Sequence, residues 1–239
     1  MSEFDPTAIQ VLACDIFGTT VDWFTGVSEQ AADVFRTAGV DLDAEVFANE
    51  WRDMYVPAMQ RVTNGERAWV YLDILHRESL DQLLDRHGAA LDEAARKRLV
   101  RAWHLLPAWP DSVEGLARLS DRYTLAAVSN GGFALLTRLV KAAGLPFDCI
   151  LSAELAQAYK PEPQVYRTAT GLLDVEPAQV LMVAAHAWDI YGAHGVGMRT
   201  AFLERPLEKG PDGKADRAAD TQSDLTVTSF TELAETLGC

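Results

Sequence analysis

Two rhythms of apolar positions divide this chain. Ile9 to Cys14 (IQVLAC) is a short apolar run, read as a buried strand. From Gly26 to about Leu106 the rhythm is helical, marked by Trp51, Tyr55, Met59, Trp69, Leu72 and Leu75, and strand-like alternation is absent. About four helices are expected there, broken near Gly39, Asn64-Gly65 and His87-Gly88. After Pro107 and Pro110 short apolar runs return, separated by helical stretches. Strands are predicted at Tyr123–Val128, Cys149–Leu151, Val180–Val183, Arg199–Leu203 and Leu225–Val227. Helices are predicted at Ser112–Arg122, up to Ala143, around Val165–Leu173, after Asp189 and at Phe230–Leu237. Glu208 to Ser223 is polar and rich in Gly, Asp and Lys, and reads as a surface loop.

Strands alternating with helices predict an α/β fold: a Rossmann-like, doubly wound parallel sheet covered on both faces. The helical block interrupts that sheet after its first strand. It is read as an inserted helical cap domain at 24–107, with a catalytic core formed by 1–23 and 108–239. A length of 239 residues suits that organisation.

Composition narrows the function. The 49% apolar content suffices for a packed core, and no apolar run approaches the roughly 20 residues of a membrane span. The net charge of −14 argues against a nucleic-acid partner. It also requires any anionic substrate to be drawn in by a local positive site. The three cysteines, Cys14, Cys149 and Cys239, fit no disulfide or zinc framework, and the start MSEFDPTAIQ is acidic and unlike a signal peptide. A cytoplasmic, reducing setting is expected.

In open parallel sheets, ligands sit beyond the carboxyl ends of the strands. The polar residues there are Asp15 and Thr19, then Ser129 and Asn130, then Lys160, then Asp189. From Ser129 to Lys160 is 31 positions and from Lys160 to Asp189 is 29, close to the ~30 residues of a βαβ unit. One site can therefore contain them all. Singly, each has a plainer reading: a turn cap for Asp15, turn chemistry for Ser129-Asn130-Gly131, solvated surface for Lys160, a helix-start acid for Asp189. Together they permit displacement by a carboxylate. Asp15 attacks and forms an ester, Lys160 keeps it ionised, Thr19 and Ser129 orient the reactants, and Asp189 positions the hydrolytic water.

Asp15-Ile-Phe-Gly-Thr19, Val128-Ser129-Asn130-Gly131, Tyr159-Lys160-Pro161 and Ala184-Ala-His-Ala-Trp-Asp189 resemble the four motifs of the haloacid dehalogenase superfamily. The resemblance spans nearly the whole chain. Phosphatases of that superfamily carry Asp-x-Asp in the first motif, and here the second position is Phe17. Phe17, Ala184 and Ala185 supply no side-chain oxygen to a magnesium ion. A phosphate dianion facing Asp15 without one would be repelled by about 4 kcal/mol per charge pair at 4 Å and an effective dielectric of 20.

The closer resemblance is to type II (S)-2-haloacid dehalogenases. They have an aromatic residue at the position of Phe17 and an Arg after a Trp, as in Trp51-Arg52. The stretch from Trp69 to Leu80 is also similar to their cap helix. The resemblance implies displacement of halide at C2 with inversion, giving the 2-hydroxy acid, with no cofactor and no metal. Chloro and bromo acids and haloacetates are the implied substrates, with fluoroacetate a further candidate. It implies Asp15 as nucleophile, and Arg52, Asn130 and Trp188 around the departing halide. Ser129 and backbone N–H groups near Phe17 hold the substrate carboxylate. Thr19, Lys160 and Tyr166 fix the network around Asp15, and Asp189 with His186 handles the water. Trp69 lines the pocket or the cap core. Partners are then the small-molecule acid, the halide ion and a second copy in a homodimer. Well-known members carry Ser and Asn where this chain has Ala184 and His186, so the imidazole is a candidate base or second donor. The competing readings are a phosphatase or phosphonate hydrolase of the same superfamily, and a non-catalytic member. The retention of Asp15, Lys160 and Asp189 speaks against the latter.

Overall fold

The computed structural model describes residues 4–239; residues 1–3, part of the acidic start and of the expected 1–23 core segment, lie outside them. Six strands form one all-parallel sheet: β1 (Val11–Cys14), β2 (Thr124–Ser129), β3 (Cys149–Ser152), β4 (Val180–Ala184), β5 (Arg199–Leu203) and β6 (Leu225–Val227). Their order is β3-β2-β1-β4-β5-β6. The chain winds one way from β1 and then the other, so β1 and β4 flank the point where the winding reverses. Register places Val11 of β1 beside both Thr124 and Val180. β1 and β4 are buried along their whole length, which is why they read as continuous apolar runs rather than alternations.

Five helices fill the helical block after β1, where about four were expected: α1 (Trp23–Ala38), α2 (Ala44–Asp53), α3 (Tyr55–Thr63), α4 (Leu72–Arg86) and α5 (Glu93–Ala102). The expected breaks are present. Gly39 closes α1 in the left-handed region at φ 68°, Asn64-Gly65 ends α3 and His87 ends α4. The additional break falls at Met54, three residues before Pro57, which has no N–H to donate to the Asp53 carbonyl; the backbone at Met54 stays near helical. Asp22, Asp43 and Asp92 cap α1, α2 and α5 through their carboxylates.

Trp51 ties α2 to α4. Its indole N–H lies 3.1 Å from His76 O and 3.2 Å from Ser79 Oγ, and its ring meets Trp103 edge-on at 5.5 Å. The helices α6 (Ser112–Ser120), α7 (Phe133–Ala143), α8 (Pro163–Leu172), α9 (Ala187–Gly195) and α10 (Phe230–Thr236) belong to the βα succession. Among the described residues no helix is long and apolar enough to cross a membrane. Burial pushes the thiol of Cys14 up, out of the reactive range.

Candidate active site

β1 delivers Asp15 to the crevice. Its backbone N–H donates to Val183 O at 2.9 Å, which fixes the carboxylate at the carboxyl ends of both central strands. Asp15 is 4% exposed. Oδ1 accepts from Lys160 Nζ at 3.1 Å and Oδ2 from Thr19 Oγ1 at 3.0 Å. Thr19 Oγ1 itself accepts the Ala185 N–H at 2.9 Å, so its own proton is directed at Asp15. Burial pushes the Asp15 carboxyl up, but the Lys160 ammonium and then His186 overcome this and hold it well below the usual carboxylate range. At 3.1 Å the Lys160 attraction is about 5 kcal/mol for an effective dielectric near 20.

Lys160 Nζ also donates to Asp189 Oδ2 at 2.7 Å, and Tyr166 OH donates to Asp189 Oδ1 at 2.7 Å. Asp189 is 0% exposed and sits in the first turn of α9 rather than ahead of it. Both its oxygens face inward, to Lys160 and Tyr166. Burial pushes the Asp189 carboxyl up against the pull of Lys160, with the Asp15 charge adding to the rise. The Lys160 ammonium, for its part, is lowered by burial and raised by Asp15 and Asp189, and the rise prevails.

Asn130 follows β2, and its side chain is oriented by the network. Oδ1 accepts the Lys160 backbone N–H at 2.7 Å, so Nδ2 points the other way, 3.3 Å from Met59 Sδ. Thioether sulfur is a weak acceptor, which leaves that N–H available. Ser129 is buried and its Oγ accepts the Gly131 N–H at 3.3 Å. Phe17 is buried edge-on to Trp103, with ring centroids 5.9 Å apart.

Arg52, at the end of α2, is 8% exposed. Its guanidinium lies 4.2 Å from the Tyr55 ring centroid and 5.4 Å from that of Trp23. Nη1 has no hydrogen-bond partner, and Nη2 is 3.9 Å from Glu208 Oε1. Glu208 Oε1 is also 2.9 Å from His186 Nε2, and His186 Nδ1 is 3.2 Å from Asp15 Oδ2, which places Arg52 beside the Asp15 cluster. Trp188 is half-buried and stacks on His186 at 5.2 Å, whereas the aromatic partners of Arg52 are Trp23 and Tyr55. Trp69 is half-buried against Tyr71 and Tyr159, with its indole N–H unpartnered.

His186 stands between two carboxylates. Nε2 is 2.9 Å from Glu208 Oε1, and Nδ1 is 3.2 Å from Asp15 Oδ2 without hydrogen-bond geometry to it. Burial lowers the imidazolium, but Glu208 and then Asp15 raise it to about 10. Burial likewise pushes Glu208 up, and His186, Arg52 and Trp23 bring it down to about 2.

Glu208 corrects the sequence reading. The polar stretch from 208 to 223 does not begin on the surface, because Glu208 is buried in the site and Thr221 is buried too. The signal that points to Glu208 is its position, a few residues past the carboxyl end of β5, where the other site residues follow β1, β2 and β4. Trp23 and Tyr55, which box Arg52, read in the sequence only as helical core.

A divalent ion does not fit this donor set. An ammonium already bridges Asp15 and Asp189, and the places where further oxygens would be needed hold Phe17, Ala184 and Ala185. Among the described residues no group of three or more His, Cys, Asp or Glu stands placed to hold a metal.

A Rossmann-like sheet carries a buried carboxylate–lysine pair at its winding reversal, and the chain belongs to the haloacid dehalogenase-like hydrolases, whose family model matches residues 9–197. It is 32% identical over 201 residues to (S)-2-haloacid dehalogenase 1 of Pseudomonas sp. (strain CBS-3), covering 82% of this chain and 85% of that one. A solved L-2-haloacid dehalogenase superposes with a TM-score of 0.90 at 42% identity, over 96% of this chain and 99% of the other. A defluorinating L-2-haloacid dehalogenase superposes with a TM-score of 0.93 at 39% identity, over 97% and 96%.

Proposed function

We propose that this protein is an (S)-2-haloacid dehalogenase: it hydrolyses the carbon–halide bond of short 2-haloalkanoic acids to 2-hydroxy acids, through an ester on Asp15 and with inversion at C2. The observation that carries this reading is a buried carboxylate held ionised by Lys160, beside an arginine that keeps an unpartnered donor. An ionised carboxylate is the form that attacks carbon. Negative charge builds on the departing halide, and Arg52 Nη1 with Asn130 Nδ2 are the N–H groups offered to it. Trp23 and Tyr55 keep water from the guanidinium, which strengthens that stabilisation. Ser129 and the backbone beyond Phe17 take the substrate carboxylate. Thr19, Lys160, Tyr166 and Asp189 hold the nucleophile, Trp69 and Trp188 wall the site, and His186 meets the hydrolytic water.

Residues 24–107 are taken as the cap that carries Arg52 to a core made of 1–23 and 108–239. A homodimer and a cytoplasmic setting complete the reading, supported by the family resemblance and the three free cysteines. The test is halide release from (S)-2-chloropropionate, chloroacetate, bromoacetate and fluoroacetate, with and without magnesium or EDTA. Release from the chloro and bromo acids, indifferent to both additions and abolished in Asp15→Asn, is expected. Turnover of phosphate esters that EDTA stops, with no halide released, would sink the proposal.

A further inference from the structure

Glu208 carries an inference that rests on the dehalogenase reading. One of its oxygens, Oε1, serves three groups: Trp23 Nε1 at 2.9 Å, His186 Nε2 at 2.9 Å and Arg52 Nη2 at 3.9 Å. A buried carboxylate is costly unless paired, so its position must be held by what surrounds it. Gly18, at φ 84°, leaves it room: a Cβ there would lie 2.7 Å from Glu208 Cδ. On one side Glu208 N donates to Arg205 O at 3.0 Å, and Arg205 grips Asp111 at 2.7 and 3.0 Å. On the other side Lys209 O accepts from Asn49 Nδ2 at 3.1 Å, and Lys209 Nζ reaches Asp53 at 3.3 Å. The segment after β5 is therefore pinned both to the start of α6 and to α2.

We propose that Glu208 is the positioning residue of the second half-reaction: it holds a proton on His186 Nε2 and keeps an unpartnered Nδ1 beside the Asp15 carboxyl, making His186 the base toward the water that hydrolyses the Asp15 ester. Which imidazole nitrogen is free is set by what the other one bonds. Nδ1 lies 3.2 Å from Asp15 Oδ2 and has no hydrogen-bond partner, and stacking on Trp188 fixes the ring plane. The charged groups around the ring are Asp15 and Glu208 directly, Lys160 and Asp189 behind Asp15, and Arg52 behind Glu208. Asp216 accepts the neighbouring Ala187 N–H.

The steps balance. An Asp15 oxygen bonds to C2 as the carbon–halide bond breaks, and the halide leaves with the electron pair. Asp15 is then a neutral ester, so one of the two anions that held the imidazolium is gone, and Nδ1 releases its proton to solvent. Water oxygen next bonds to the ester carbonyl carbon and gives one proton to Nδ1. Collapse breaks the bond to the product oxygen, which takes the remaining proton of that water. The Asp15 carboxylate and the imidazolium are restored, with one halide and one proton released per turnover.

The test is rapid-quench halide release with intact-mass detection, on Glu208→Gln and on (S)-2-chloropropionate. The expected result is a burst of about one halide per site followed by turnover slowed roughly 100-fold, the lower end for loss of a general base. Ester-bearing enzyme accumulates, and the acid limb of ester hydrolysis moves to lower pH because an anion beside His186 has been neutralised. Adding Glu208→Gln to His186→Asn should slow ester hydrolysis no further. If Glu208→Gln does not fold, Glu208→Asp decides by the same readouts: slowed ester hydrolysis with a burst supports the proposal. No burst with slowed displacement, or ester hydrolysis and pH limb unchanged, overturns it in either variant. Wild-type protein that releases no halide overturns the dehalogenase reading and this inference together, whereas halide release with an unaltered Glu208 variant overturns this inference alone.

Discussion

One ammonium, that of Lys160, is shared between two buried carboxylates, and the state of Asp15 depends on it. Removing the cation leaves Asp15 and Asp189 facing each other across a dry site. Lys160→Met is expected to destabilise the fold by about 3–5 kcal/mol, the cost of breaking a buried ion pair from one side. It should also abolish halide release, since a protonated Asp15 does not attack carbon. Urea denaturation and halide release measured on the same preparation check both, and a stable, active Lys160→Met protein would contradict the assignment. Asp15, Thr19, Ser129, Asn130, Lys160 and Asp189 were legible because each lies past a predicted strand, with Ser129, Lys160 and Asp189 at βα spacing. Glu208 was not, because a carboxylate in a Gly- and Lys-rich stretch looks solvated until the packing buries it.

Among the elements, α2 matters most to the proposed reaction, because it holds Arg52 at one end and is anchored through Trp51. Trp51→Ala removes a buried indole and its hydrogen bonds to α4, and should cost about 3–5 kcal/mol. It should also raise KM and lower kcat, as α2 loses its register on α4 and Arg52 drifts from the site. Asp43→Ala removes only the cap at the far end of the same helix, worth about 1 kcal/mol, and should leave the kinetics alone. Thermal melts and steady-state assays on the two variants separate anchoring from mere helix stability. The periodicity of the sequence called for helices here, but not for a break at Met54. Pro57, in the first turn of α3, is the local signal for it, since a proline there cannot continue the hydrogen-bond ladder from Asp53.

At the scale of the whole molecule, the His186–Glu208 pair links stability to pH. His186 is raised from 6.5 to about 10, so its contribution is complete below 6.5 and is lost as pH rises through 10. Glu208 is lowered from 4.5 to about 2, so its contribution is present above 4.5 and is lost as pH falls through 2. Urea midpoints at fixed ionic strength should therefore decline from pH 6.5 toward 10, and His186→Asn should flatten that decline. An equal slope in the variant would mean that the imidazole is not held charged in the folded protein.

The sequence by itself determined the parallel α/β sheet, the helical block after the first strand and the polar residues at the strand ends. These follow from local rhythm, short range and side-chain chemistry, which a linear string carries. Tertiary structure alone decided that Arg52 is boxed by Trp23 and Tyr55, that Asp189 faces inward to Lys160 and Tyr166, and that Glu208 joins His186 to the arginine. Those contacts join residues up to 156 positions apart, Arg52 and Glu208, and their energies depend on burial, which exists only once the chain has folded.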